Sequence, residues 1–487
     1  VTLDVLLNLI DKTGNWEKDK IEIILEKSGC DISDTVRLCH DSRKIGDGEV
    51  FVAIEGENAD GHNFVDHAFE KGAGLAFVQQ KRIYNGPCIY VEDVVLFLND
   101  LASNWFRGIS PVTIAITGSN GKSTTKEWVK TLMKSVLGEK AVFANPGNMN
   151  TEIGLPISLL NDLKKDNRYA VIEMGMGSIG DIDFLSRRYR PNYACVLNIG
   201  TAHIGNTGGL QETLREKGRL FENTKNDGIL FSNISDPLLK DWVNQDSSER
   251  ERVWFGDLRD RNDEPGVFLE DYRVKHENSY FETDIRIRRF EEGSEQSDHF
   301  DIRIKGLFHR GAAYNLCSSI AIVSKVCGFK RSTEQLNDLT IMPGRFEPIP
   351  FKKNLLISDF YNFSIESLHY ALDCIHSIIQ NGPFNKIYCV LGSISETGHF
   401  NVAFHQKIGE ILNNFGVEGV FLYIKDRSIE RVTDIYEGEI YQTAHKDELV
   451  SRLNDILKEE TDSIFLFKAS RSIEMEEVFN DVLASIN

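Results

Sequence analysis

The chain has 487 residues, of which 41% are hydrophobic and 26% charged, and its formal net charge is −19. That length exceeds what one hydrophobic core usually organises, so two or three domains are expected, and the composition excludes a disordered polymer. The acidic balance excludes a basic duplex-binding surface, so no nucleic-acid partner is expected. A local positive pocket for a phosphorylated substrate remains compatible with it.

Cysteines stand at 30, 39, 88, 195, 317, 327, 374 and 389 with no CxxC pair. The spacing fits a reducing compartment and thiols used as small core residues. No stretch approaches the roughly 18 apolar residues of a membrane span. The opening Val1-Thr2-Leu3-Asp4-Val5 carries neither a basic leader nor a cleavage signature, so a cytoplasmic protein without an integral membrane segment is expected.

Residues 1–108 read as a small α/β domain. The polar stretch opening at Asp41-Ser42-Arg43 has no clear period, and the apolar run 50–54 predicts a strand. The turn-rich segment from Glu55 to Gly61 follows, then a helix from Phe64 to Lys71 and a strand over 75–78. A linker is expected around Phe106–Pro111. A second domain, 109–342, opens with the apolar run 112–117, a glycine loop, and a helix from Ser123 to about Val136. Apolar runs at 169–172 and 194–197 suit the interior of a parallel sheet. Residues 240–300 are charged and partly alternating, which predicts half-buried antiparallel strands whose charges are solvated. A third domain, 343–487, alternates strands at 355–357, 387–391, 419–423 and 463–467 with helical segments. That rhythm is Rossmann-like.

The sharpest local signal is Gly118-Ser119-Asn120-Gly121-Lys122-Ser123. It has the termini of a Walker A loop but is two residues shorter than GxxxxGK[ST]. Glycines let backbone N–H groups turn toward phosphate oxygens, and the following helix presents its positive end. Lys122 is placed to reach the β- and γ-phosphates and Ser123 to ligate Mg²⁺. Three residues further on matter, two of them with two readings each. Glu173, ending the run 169–172, suits a metal ligand or a helix cap, and His203 is equally open. Lys217, inside the helical stretch 210–220, would ordinarily face solvent.

A set of motifs runs along nearly the whole chain: Asp41-Ser42-Arg43, Asp60-Gly61-His62, the segment from Thr117 to Glu127, Gly147-Asn148-Met149-Asn150, and Glu152-Ile153-Gly154-Leu155-Pro156. Glu173-Met174-Gly175, Asn198-Ile199-Gly200 with Ala202-His203, Asp359-Phe360-Tyr361-Asn362, Leu391-Gly392 with Glu396-Thr397-Gly398, and Lys468-Ala469-Ser470-Arg471 complete it. Together and in this order they resemble the Mur ligases of bacterial cell-wall synthesis, most of all the branch that adds D-alanyl-D-alanine to UDP-N-acetylmuramoyl-tripeptide. The resemblance implies an α/β protein of three domains: an N-terminal one for the UDP-sugar peptide, a central P-loop ATPase, and a C-terminal Rossmann-like one for the amine.

The resemblance also implies roles. Gly118, Asn120, Gly121, Lys122, Ser123, Thr124, Asn315, Arg345 and Asp359 would meet ATP. Ser123, Glu173, His203 and Lys217 would serve Mg²⁺, with two ions expected and Lys217 carried as an N6-carboxylated (carbamate) side chain, and Lys122, Glu173, His203 and Lys217 would be the catalytic set. Ser42, Arg43, Asn148, Asn150, Asn362, Lys468, Ser470 and Arg471 would bind the UDP-sugar peptide and the dipeptide; a monomer is expected. The chain departs from the pattern at Thr151, Gly177-Ser178-Ile179, Arg219, Gly311-Ala312, Phe363-Ser364-Ile365, Ser393 and Ala469. Two other readings stay open: a related amide ligase with another amine or acceptor, such as a folylpolyglutamate-synthetase-like enzyme, and a non-catalytic nucleotide-binding scaffold.

Overall fold

The computed structural model describes residues 1–12, 36–56, 59–277, 280–294, 296–328, 336, 339–340 and 342–485. Cys30, and Glu57 and Asn58 of the expected turn, lie outside the described residues. The chain groups into two compact units. One comprises Val1–Ala115, Leu137–Gly175 and Asp183–Asn192, the other Ile116–Val136, Met176–Ile182 and Tyr193–Asn487.

In the first unit, β1 (Leu38–Cys39), β2 (Val50–Val52), β3 (Leu75–Val78) and β4 (Cys88–Tyr90) form a parallel sheet in that order. Phe51, Ala53, Val65, Ala68, Ala76 and Val78 fill its core. The expected helix over 64–71 is a 3₁₀ turn, Gly61–Phe64, continued by the helix Val65–Glu70. The expected linker at 106–111 is corrected: the helix Val94–Ile109 takes up 106–109 and leaves only Ser110 and Pro111 before the strand Val112–Thr117. Asp93 caps its start by accepting from Leu96 N, and Ser110, at φ 53°, ends it. The helix carries Gly108 in its last turn and stops only at that left-handed residue.

The helix Gly154–Asp162 packs beside this one. Asn99 Nδ2 donates to Glu152 O (2.6 Å) and Trp105 Nε1 to Leu163 O (3.1 Å). Its Asn161 amide serves β1, with Oδ1 accepting from Leu38 N (2.8 Å) and Nδ2 donating to Leu38 O (2.9 Å). β5 (Val112–Thr117) leads into the glycine loop. β6 (Val142–Ala144) and β7 (Tyr169–Glu173) pair in parallel.

In the second unit, β8 (Tyr193–Val196), β9 (Ile229–Asn233), β10 (Glu251–Asp257) and β11 (Gly266–Glu277) pair in succession. β11, β12 (Tyr280–Phe290) and β13 (Ser297–Lys305) are antiparallel, as the alternating charged stretch predicts, whereas that stretch begins in the helix Pro237–Gln245 and its β10 pairs in parallel. On β12, Phe281, Thr283, Ile285 and Ile287 are buried while Arg286 is exposed. The facing charges pair across strands, as Lys275 with Asp284 and Arg286 with Asp301.

The C-terminal part of this unit is a six-stranded sheet of β14 (Glu347–Phe351), β15 (Asn354–Asp359), β16 (Lys386–Leu391), β17 (Gly419–Tyr423), β18 (Glu439–Thr443) and β19 (Ser463–Lys468). Its spatial order is β14-β15-β19-β16-β17-β18, and every pairing but β14 with β15 is parallel. Alternate residues of β19 serve opposite faces. Ile464 and Leu466 pack with the helices Ile365–Asn381 and Asn401–Asn414, Phe465 and Phe467 with Lys446–Glu459 and Met475–Ala484. Burial on both faces explains why these strands read as unbroken apolar runs. Among the described residues, no helix is long and apolar enough to cross a membrane.

Candidate active site

The glycine loop joins β5 to the helix Lys122–Leu137. Gly121 sits at φ 84°, and a Cβ there would lie 2.5 Å from the Asn315 amide, so no side chain fits. Asn198, just past β8, pins the loop: its Oδ1 accepts from Asn120 N (2.8 Å) and its Nδ2 donates to Asn120 O (3.0 Å). Ser119 N donates to Asn198 O (3.1 Å), and Gly200 N donates to Ser119 Oγ (2.8 Å). Lys122 Nζ donates to Gly118 O (2.7 Å) and Ser119 O (3.3 Å). A loop fixed by a neighbouring strand end, a lysine and a helix N-terminus is the equipment of phosphate binding.

Beside the loop lies a cavity of about 500 Å³. Asn120, Gly121, Thr124, Asn315, Arg345, Asp359, Asn362 and Lys468 all line it, so eight sequence-predicted positions meet in one space. Asp359 and Lys468 end adjacent parallel strands, where such sheets bind ligands. Lys468, fully buried, is paired to Asp359 Oδ2 at 2.5 Å. Arg345 lies over the Tyr361 ring at 3.9 Å, and Arg471 over the same ring at 5.2 Å.

Sequence reasoning missed His309 and Tyr370, which stack in the cavity wall with ring centroids 5.9 Å apart. Burial pushes the His309 imidazole down to about 4, so it is neutral at pH 7. The departure Gly311-Ala312 also lines the cavity, and Phe363-Ser364-Ile365 stands between the lining residues Asn362 and Glu366. Ser364 caps the helix Ile365–Asn381 and accepts from Asn120 Nδ2 (3.1 Å). Glu366 accepts from Thr201 N (3.1 Å) and Thr201 Oγ1 (2.9 Å).

Lys217 overturns the reading of a solvent-facing residue. It lies on the helix Leu210–Glu222 with 1% of its surface exposed, and its Nζ lies 4.0 Å from Met176 Sδ. Burial and, second, the Lys122 charge lower its pKa far below the ordinary lysine range; Glu216 opposes this. Arg219 is half-exposed and paired with Glu222 at 2.5 Å. The periodicity marks a helix there, but only the neighbours reveal which face is covered.

His203, at φ 60°, precedes the short helix Ile204–Thr207, and its Nδ1 bonds Glu396 Oε2. That contact holds the Glu396 carboxyl below its usual range. Glu173 closes β7 in the first unit. It is buried and accepts from Asn150 Nδ2 (2.6 Å), while Gly175 N donates to Asn150 O (2.7 Å). Asn148 is exposed in the turn before Asn150.

Also in the first unit, Arg43 is fork-bonded to Asp41 by Nε and Nη2, both at 2.9 Å, and stands exposed. The Arg43 hydrogen bonds hold the Asp41 carboxyl down at about 2. Ser42 is buried with its Oγ 3.3 Å from His67 Nδ1. Ser470 Oγ accepts from Ser395 N (2.9 Å).

Fold and cavity define a nucleotide-binding α/β enzyme. Residues 116–323 match the Mur ligase middle domain and residues 36–103 the Mur ligase family catalytic domain. The UDP-N-acetylmuramoyl-tripeptide--D-alanyl-D-alanine ligase of Escherichia coli is 30% identical over 462 residues, covering 93% of this chain and 94% of its own. That of Bacillus subtilis is 29% identical over 456 residues, covering 91% and 92%. The crystal structure of the MurF ligase from Thermotoga maritima in complex with ADP superposes with a TM-score of 0.77 at 28% identity, covering 92% of this chain and 97% of that one. The chain belongs to the Mur ligase family, and its α/β architecture is the three-domain one of that family.

Proposed function

We propose that this protein joins the carboxylate of UDP-N-acetylmuramoyl-tripeptide to the amine of D-alanyl-D-alanine at the expense of ATP. The observation that carries it is the cavity in which the loop residues Asn120, Gly121 and Thr124 meet Asn315, Arg345, Asp359 and Lys468. Relatives bearing that activity in their names match over nine-tenths of both chains. A folylpolyglutamate synthetase from L. casei shares the fold at a TM-score of only 0.52.

In the first step a carboxylate oxygen of the acceptor attacks the γ-phosphorus of ATP. The bond to the β–γ bridging oxygen breaks and ADP leaves. The amine nitrogen then attacks the acyl carbonyl, loses a proton, and the collapsing tetrahedral intermediate expels phosphate. Lys122 and the loop N–H groups would counter the charge on the transferred phosphoryl group. The Asp359–Lys468 pair and the ring of Tyr361 would order the wall against which the amine and the acyl phosphate meet.

ATP and Mg²⁺ use is typical of this family. Among the described residues, no group of three or more His, Cys, Asp or Glu side chains forms a metal cage. Mg²⁺ is commonly held by one or two carboxylates together with substrate phosphates. Ser123, Glu173 and His203 would hold it, two ions being expected, and it would neutralise charge on the phosphates. Lys217, kept as a neutral amine, would condense with CO₂ and release a proton, giving an anionic carbamate. Ser42 and Arg43 would meet the uridine end, Asn148, Asn150 and Asn362 the peptide, and Ser470 and Arg471 the dipeptide.

The three segments 1–108, 109–342 and 343–487 would divide these tasks. We place the reaction in the cytoplasm, where ATP is supplied, with the protein acting as a monomer. The deciding experiment offers ATP with acceptors differing in the third peptide residue and with a panel of amines, read by product mass and phosphate release. D-alanyl-D-alanine should give the dominant adduct. Phosphate release indifferent to acceptor and amine would overturn the ligase reading, and a glutamate adduct on a folate-type acceptor would replace it.

A further inference from the structure

One carboxylate outside the nucleotide cavity is committed to a residue of the reaction. Glu396 lies after β16, in a segment remote in sequence from His203, yet its Oε2 accepts from His203 Nδ1 and, at 3.4 Å, from Asn206 Nδ2. Backbone contacts build the meeting point. Gly205 N donates to Glu396 O at 2.9 Å. A Cβ on Gly205 would lie 2.4 Å from Gly398 N and 2.6 Å from Glu396 O, so the two segments approach as closely as glycine allows. Both His203, at φ 60°, and Glu396, at φ 57°, hold the left-handed conformation that non-glycine residues rarely adopt. Strain of this kind persists where surrounding contacts over-determine it. Asn206 also donates to Gly177 O (2.8 Å), tying the segment after β7 to the same point.

We propose that Glu396 is a positioning residue for His203, fixing its imidazole with the hydrogen on Nδ1 and leaving Nε2 as the nitrogen free to serve a metal. This rests on the reading of His203 as a metal-site residue. An ionised carboxylate only accepts hydrogen bonds, so the nitrogen facing it must be the donor, and a neutral ring then keeps its lone pair on the other. Carboxylates behind ligating histidines act in this way, orienting the ring and selecting the tautomer. Because Glu396 comes from the C-terminal sheet, the ring is set only when that sheet stands against residues 203–206.

The test uses full-length protein, Mn²⁺ as the probe metal with ADP, and the two-bond proton–nitrogen spectrum of labelled histidine. The His203 signal is assigned by its loss in His203→Ala. The parent should show the Nδ1–H tautomer. Glu396→Ala should mix the tautomers and weaken Mn²⁺ binding about ten-fold, while Glu396→Gln, which keeps an acceptor oxygen, should retain most of both. Glu396→Gly removes the carboxylate but suits the left-handed backbone, so the same loss there separates positioning from strain. In a His203→Ala background, Glu396→Ala should add nothing. Unchanged tautomer and Mn²⁺ affinity in Glu396→Ala, with affinity lost in His203→Ala, would overturn the inference alone. Unchanged affinity in His203→Ala would instead overturn the metal reading, and the inference with it.

Discussion

At the scale of single residues, charge and burial decide the roles. Lys122 is a point charge folded onto the carbonyls of its own loop, so its removal should cost transition-state stabilisation rather than fold. Lys122→Ala is expected to lower kcat by on the order of 10²–10³-fold with an unchanged thermal melt; near-parental turnover would reassign the loop. Lys217 makes a prediction about pH. Its pKa in the fold lies far below the ordinary value, whereas in the unfolded chain it titrates near about 10.4. Between those values the unfolded chain binds the extra proton, so this residue's contribution to stability grows as pH rises and is lost as pH falls. In CO₂-free buffer, urea unfolding from pH 7 to 9.5 should therefore climb more steeply for the parent than for Lys217→Met. Parallel curves would show that the amine is not buried. Bicarbonate should raise ligation in the parent and leave Lys217→Ala inactive, with acetate restoring part of it.

At the scale of elements, the cap of the helix Ile365–Asn381 carries two duties. Ser364 accepts from Ser367 N and also meets Asn120 of the phosphate loop. Ser364→Ala should cost about 1 kcal/mol as a lost cap and raise KM for ATP. Ser364→Asp should restore stability, with KM showing whether the loop contact matters. The pair of buried Lys468 and half-buried Asp359 at the ends of β19 and β15 is more severe: Lys468→Ala leaves Asp359 uncompensated and should cost up to about 3 kcal/mol. Adding Asp359→Asn should recover much of that; additive losses in chemical denaturation would mean the two side chains act separately.

Elements of this kind were largely legible from sequence. The strands of the C-terminal sheet are apolar on both faces, so β15, β16, β17 and β19 stand out as runs. The alternation along β12 likewise announced a half-buried antiparallel strand. The helix through Phe106 was not legible, because a polar surface face resembles a linker. The burial of Lys217 and the partnership of His203 with Glu396 depend on chain segments far apart in sequence, and no local pattern encodes them.

At the scale of the whole molecule, Arg43 and the phosphate loop belong to different compact units. Arg43→Ala should weaken binding of the UDP-sugar peptide about ten-fold, the scale of one lost charge-assisted contact, and leave ATP binding intact. Titration calorimetry with each ligand alone checks this, and equal losses would indicate misfolding or a misplaced site. Four cysteines contribute packing: Cys195, Cys317, Cys374 and Cys389 are buried, with thiols pushed upward by that burial.

The small N-terminal sheet carries a further consequence. Among the described residues its order places β1 at a margin, where a two-residue strand would offer an unpaired N–H and C=O to any passing chain. The Asn161 amide occupies both groups of Leu38. It thus acts as a stopper against strand addition, the route by which open sheet margins seed aggregates. Asn161→Ala should leave turnover of already folded protein near parental while raising light scattering during refolding at micromolar concentration. Asn161→Gln, whose longer arm cannot meet both groups at once, should scatter nearly as much.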